Sequence, residues 1–245
     1  MKTVLCYGDS NTWGYNPRGG RYDHTVRWPA VMASLLNGGA EIGTGPGIPP
    51  GMPGSGPVID HGSPERGAEI GAGPAWWVVE EGLNGRTTCL EDPVEGDRNG
   101  LRQLIPVLRS HRPLDLVIMM LGVNDLKHRF NPSPYEVSNG AQLVAKAILT
   151  SETGPGGGAP RALMVCPPPL IDAPAFRQII AAGALEISRK LPSYYRACAK
   201  ECGADFFDAG TVVTAASSVD GVHWEAEDHR RFAQAMAELI TRNFS

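Results

Sequence analysis

Residues 3–12 read Thr3-Val4-Leu5-Cys6-Tyr7-Gly8-Asp9-Ser10-Asn11-Thr12. A short apolar run that stops at Gly-Asp-Ser predicts a buried strand at 3–7, ending in a tight turn. Four further runs of strand length follow at 76–80, 114–121, 162–166 and 204–208. Helix-length segments separate them. In 135–150, Val137, Ala141, Val144 and Ile148 recur at spacings of four, three and four. In 175–191, Phe176, Ile180 and Ile187 mark one face, and Pro192 is expected to limit that helix. The next short segment ends at Gly203, a plausible left-handed stop. In 225–244, Phe232, Met236 and Ile240 form one stripe. Strands alternating with helices predict a parallel sheet covered on both faces. Such sheets bind ligands beyond the carboxyl ends of their strands.

Groups with chemistry follow the strand candidates in order. Ser10 follows the first, Asn84-Gly85 the second, Gly122-Val123-Asn124-Asp125 the third, and Asp220-Gly221-Val222-His223 comes after the fifth. A serine hydroxyl needs a base to take its proton. His223 is the best placed of six histidines. Asp220, three residues back, can bond one ring nitrogen and leave the other facing Ser10. Gly85 can offer a backbone N–H, Asn124 its side-chain NH₂ and Ser10 its own N–H to a developing oxyanion. Trp13, Val123, Lys127 and Val222 neighbour these groups and are expected to line the substrate pocket. Asp125 reads as support for its own block. Arg86 has two readings, pairing with a nearby carboxylate or touching substrate.

The bulk numbers exclude other classes. The chain has 245 residues and a net charge of -4, with no Lys/Arg cluster of the kind nucleic-acid binders carry. No run approaches the roughly 18 apolar residues that span a bilayer. The first residues do not read as a secretory leader, and a cytoplasmic location is expected. The five cysteines form no CxxC pair, which suits buried free thiols. His24, His61, His111, His128 and His229 show no metal-ligand spacing, so neither metal nor cofactor is expected. Residues 154–158 are Gly-rich but lack GK[ST], and a phosphate-cradling loop is not expected.

Residues 38–74 differ from the rest. Gly and Pro make up about half of them, too many for a packed element. Residues 39–46, GAEIGTGP, recur at 67–74 as GAEIGAGP, an offset of 28 with one difference in eight. This reads as a tandem duplication in the connection from the first long helix to the second strand. That connection lies at the amino end of the sheet. It is expected to pack on a neighbouring subunit or stay mobile, not to cover its own site. The whole chain, 1–245, is expected to be one domain with this insertion at about 38–75.

The four blocks resemble those of the SGNH (GDSL) hydrolase family: Ser10 in GDSNT, Gly85 in EGLNG, Asn124 in GVND and His223 in DGVH. Asn11 stands where that family commonly has Leu. The wider strings GDSNTWG at 8–14, EEGLNGRTT at 80–88 and PPPL at 167–170 are similar to its bacterial arylesterase and acyltransferase branch. The resemblance implies an α/β, flavodoxin-like three-layer α/β/α sandwich with a five-stranded parallel sheet, and an oligomer with restricted access to the site. It implies a serine esterase acting on short-chain acyl esters without a cofactor, with acyl transfer or perhydrolysis as a further activity. A carbohydrate acetylesterase or a thioesterase would use the same residues. A non-catalytic binding or assembly module is the alternative from another class.

Overall fold

The computed structural model describes residues 1–39, 76–175 and 177–244. Five strands form one sheet: β1 (Lys2–Gly8), β2 (Trp76–Gly82), β3 (Leu116–Met120), β4 (Arg161–Cys166) and β5 (Asp205–Asp208). All neighbours are parallel, in the order β2-β1-β3-β4-β5. Among the described residues, six α-helices accompany them: α1 (Ser10–Trp13), α2 (Trp28–Leu36), α3 (Gly100–His111), α4 (Pro134–Leu149), α5 (Ala184–Cys202) and α6 (Ala226–Asn243). The α/β class and the five parallel strands expected from the sequence are as found.

Alternation along β1 builds two cores. Leu5 and Tyr7 face one side with Val117 and Met119, packed under Leu104, Leu108, Val137, Val144, Leu191 and Tyr195 of α3, α4 and α5. Val4 and Cys6 face the other side with Leu116 and Ile118, packed under Trp28, Met32, Phe232, Met236 and Ile240 of α2 and α6. Because both faces are covered, β3 is apolar and buried at every position. The helical stripes at Val137–Ile148 and Phe232–Ile240 are buried as the spacing required.

One helix departs from expectation. Residues 175 and 177–183 form turns and a short bridge, not a helix, and Phe176 lies outside the described residues. The helix is α5, which runs through Pro192 to Gly203. A proline inside a helix costs roughly 3 kcal/mol. Here Ser188, Leu191, Tyr195, Cys198 and Ala199 keep one buried face on both sides of it, and that burial outweighs the lost hydrogen bond. Gly203 stops the helix in the left-handed conformation, as expected.

The expected insertion falls, from residue 40 on, outside the described residues, and so does its repeat. Its flanks are described. The Asn37 carboxamide donates to the Trp76 carbonyl at 2.9 Å and accepts the Trp76 N–H at 2.9 Å. The chain therefore leaves α2 and enters β2 through one clasp.

The strand order reverses beside β1: the chain crosses to β2 on one side and then to β3 on the other. Gly8 is level with Gly82 and with Met120. The crevice beyond these carboxyl ends is where such sheets place their ligands.

Candidate active site

Ser10 stands at that crevice. The buried Asp9 follows β1 and caps α1, its side chain accepting the Asn11 N–H at 3.0 Å. Burial pushes the Asp9 carboxyl up to about 6, against the pull of the Asn11 amide and the nearby His223 and Arg86. Gly8 is required by close approach: a Cβ there would lie 2.0 Å from Thr12 Oγ1 and 2.9 Å from the Met120 carbonyl.

The loop before α6 brings His223 to Ser10. Asp220 Oδ1 accepts the N–H groups of Val222 at 3.0 Å and His223 at 2.9 Å, closing a tight turn. Its Oδ2 lies 2.7 Å from His223 Nδ1. Burial raises the Asp220 carboxyl, but the His223 side chain and the two amides outweigh it and hold it below the usual range. His223 Nε2 is then 2.9 Å from Ser10 Oγ. The Tyr15 ring lies against the imidazole with centroids 4.2 Å apart. Asn11 joins the two segments: its carboxamide donates to the Val222 carbonyl and accepts the Trp224 N–H.

The donor residues converge on the same place. Gly85 has φ 79°, a left-handed backbone that favours glycine, and a Cβ there would push the end of the Glu95 side chain aside. Asn124 opens the turn Asn124–Leu126 and gives one N–H to the Arg86 carbonyl at 3.2 Å. A carboxamide has a second N–H to offer. The buried Asp125 accepts the Thr88 N–H at 3.0 Å and the Thr88 hydroxyl, tying this turn to the loop after β2. Burial pushes Asp125 up to about 6, partly offset by those two Thr88 bonds. Arg86 has its direct bonds elsewhere, with the carboxylates of Glu81 and Asp9 acting on it through charge. Its guanidinium bonds the carbonyls of Gly8 and Glu81 and stacks 4.1 Å from the Tyr7 ring, fastening the ends of β1 and β2.

These groups line a cavity of about 240 Å³. Of the residues expected from the sequence, Ser10, Gly85, Asn124 and His223 line it, as do Val123, Lys127 and Val222. Asp220 reaches it through the His223 ring. Trp13 is not among the lining residues; its ring lies 4.9 Å from the Arg21 guanidinium, which the Tyr15–Arg21 bridge brings over it. Sequence reasoning gave no pocket role to Tyr15, Glu95, Ile179 and Ile180, and named Asn84 only with Gly85 in its block. Gly14, left-handed after α1, turns Tyr15 back toward Ser10, and that glycine was the available signal.

Lys127 is fully engaged at the wall. Its ammonium lies 3.1 Å from Asp92 Oδ2 and 2.6 Å from Glu95 Oε1, and Arg129 contacts both carboxylates at 3.0 Å and 2.7 Å. Burial would raise Asp92, but the amides of Glu95 and Val94 and the Lys127 ammonium hold it at about 2. The site thus assembles a hydroxyl, an imidazole, a carboxylate and N–H groups around one cavity, a set of groups that suits acyl transfer through serine.

A family model described as the GDSL-like lipase/acylhydrolase family matches residues 43–231. A carbohydrate acetylesterase from Sinorhizobium meliloti is 34% identical, with 99% of each chain covered and a TM-score of 0.79. The M. smegmatis aryl esterase is 34% identical over 99% of each chain, with a TM-score of 0.78. A putative arylesterase from Agrobacterium tumefaciens is 35% identical over 99% of each chain, with a TM-score of 0.74. No curated protein matches.

Proposed function

Because this chain belongs to the GDSL-like lipase/acylhydrolase family and is a carboxylic ester hydrolase, we propose that Ser10, His223 and Asp220 carry its reaction on short-chain acyl esters. The Ser10 hydroxyl donates to His223 Nε2, while Nδ1–H donates to Asp220. As Oγ bonds the ester carbonyl carbon, the imidazole takes the proton. Asp220 holds the tautomer and stabilises the imidazolium. The N–H groups of Ser10 and Gly85 and the Asn124 carboxamide receive the oxyanion. The departing alcohol leaves with the proton from His223, and water then cleaves acyl-Ser10 by the same route. The observation that carries this reading is the linked pair of contacts, 2.9 Å from Ser10 Oγ to His223 Nε2 and 2.7 Å from Nδ1 to Asp220.

The small cavity and its apolar residues Val123, Ile179, Ile180 and Val222 favour a short acyl group. The same walls favour competition of an added alcohol with water, and hence acyl transfer. Asn84 and Glu95, which also line the cavity, give a second reading, an alcohol portion bearing hydroxyls, as in acetylated sugars. A fluorophosphonate should label Ser10 stoichiometrically, and His223→Ala should abolish labelling. Hydrolysis of p-nitrophenyl esters should decline as the acyl chain lengthens; a preference for long chains would overturn the short-acyl reading. Acetylated sugars assayed alongside separate the two alcohol preferences.

Residues 1–245 are read as one hydrolase domain with an insertion at about 38–75, since β1 and β2, on either side of it, are neighbours in one sheet. No helix among the described residues is long and apolar enough to cross a membrane. The free thiols of Cys6, Cys89, Cys166, Cys198 and Cys202 suit a cytoplasmic location. A homo-oligomer is favoured by the half-exposed Trp77 on the edge strand β2, an apolar edge that association would cover. Light scattering at several concentrations tests this.

A further inference from the structure

The base proposed above sits on a loop, and its aim depends on what locates that loop. Asp220 belongs to the same loop, so its bond orients the ring within the loop and not toward Ser10. Asn11 is different. It adjoins the nucleophile, is 1% exposed, and reaches across to the other segment. Its Nδ2 donates to the Val222 carbonyl at 3.3 Å, and its Oδ1 accepts the Trp224 N–H at 3.2 Å. One carboxamide thus grips the peptide groups immediately before and after His223. Its own N–H is fixed in turn by Asp9, which follows β1. Tyr15, also from the nucleophile's segment, supports the face of the ring.

We propose that Asn11 is a positioning residue for the reaction: its bridge across His223 sets the distance and aim of Nε2 on Ser10 Oγ. This rests on His223 being the base for Ser10. A side chain of similar shape with neither donor nor acceptor, such as Leu, would fill the space and leave the loop unreferenced.

Asn11→Leu is the direct test. The kcat for p-nitrophenyl acetate should fall about 10- to 100-fold, the scale expected when a reacting group is misplaced by about 1 Å, with KM within about twofold. The rate of fluorophosphonate labelling should fall in parallel. The far-downfield proton resonance of His223 Nδ1–H should shift or broaden. Wild-type values in all three would overturn the proposal. If the Leu variant does not fold, Asn11→Asp serves, since it keeps the acceptor for Trp224 and loses the donor to Val222. Its kcat should also fall about tenfold or more, and an unchanged kcat would overturn the proposal. His223→Ala run beside them separates the two claims. Full activity there defeats the base assignment itself, whereas an inactive His223→Ala with wild-type Asn11 variants defeats only the bridge.

Discussion

The Ser10 hydroxyl and the His223 imidazole meet at 2.9 Å although 213 positions separate them in the chain. The parallel sheet makes this meeting. Gly8, at the end of β1, delivers the hydroxyl, and the loop before the last helix folds back over the same edge.

Asp220 supplies two kinds of bond, one to the ring and two to backbone amides. Asp220→Asn should keep the turn and lose the tautomer control. Its kcat should drop about 10³- to 10⁴-fold with little change in Tm. Steady-state kinetics with thermal melts check both halves.

Asn124 and Gly85 should fail in different ways. Asn124→Ala removes a donor and should lower kcat about 10²- to 10³-fold with a smaller effect on KM. Gly85→Ala keeps its N–H but forces a Cβ onto Glu95 in left-handed backbone. It should cost about 1–2 kcal/mol of stability before any kinetic effect is counted, measurable by urea unfolding.

Lys127→Met should be structural first. It leaves the buried Asp92 with Arg129 as its remaining cation, and the part-buried Glu95 with Arg129 and Arg98. Removing one partner of a buried ion pair costs about 3–5 kcal/mol. The double variant Lys127→Met with Asp92→Leu should recover much of that loss in the same unfolding assay.

Acid should destabilise the fold through His229, which lies fully buried against Tyr22 and Trp224. Burial, followed by the charges of His223 and Arg27, lowers its pKa from 6.5 to about 3. The unfolded chain then binds the proton first, so stability is complete above pH 6.5 and drains away as pH falls toward 3. The steepest contribution is about 1.4 kcal/mol per pH unit. Asp9 and Asp125, raised to about 6, act in the opposite sense, because the folded state takes up their protons first between pH 6 and 4. His229→Phe should therefore flatten the acid limb of a stability–pH curve or reverse its slope. An unchanged limb would rule out the imidazole as its source.

Deleting residues 39–66 should leave the enzyme active, because the Asn37–Trp76 clasp stands at the opposite end of β2 from the site. Six residues of strand place it about 20 Å away. Loss of activity in a folded deletion variant of unchanged oligomeric state would contradict this.

Much of the fold was legible because burial imposes short periods. Val4 and Leu5 point to opposite cores, and the four-three-four spacing in α4 has one reading. The blocks around Ser10, Gly85, Asn124 and His223 were legible because each directly follows or folds back on a strand end. What escaped depends on contacts distant in sequence. Pro192 reads as a stop until the buried face continuing past it is seen. Arg86 reads as a partner for a carboxylate until two strand-end carbonyls are found beside it. Tyr15 and Trp13 look alike on paper, and a left-handed Gly14 with a bridge to Arg21 decides which of them reaches the imidazole.

The clasp between Asn37 and Trp76 also bears on how such a chain can change over time. A segment whose two exits are already fastened together imposes no new geometry on the frame when it grows. Doubling its length adds only about 0.6 kcal/mol of closure entropy. Copying errors at this point are therefore cheap for the fold to tolerate. The repeated octet at 39–46 and 67–74 is the kind of trace that such tolerance would leave in a lineage.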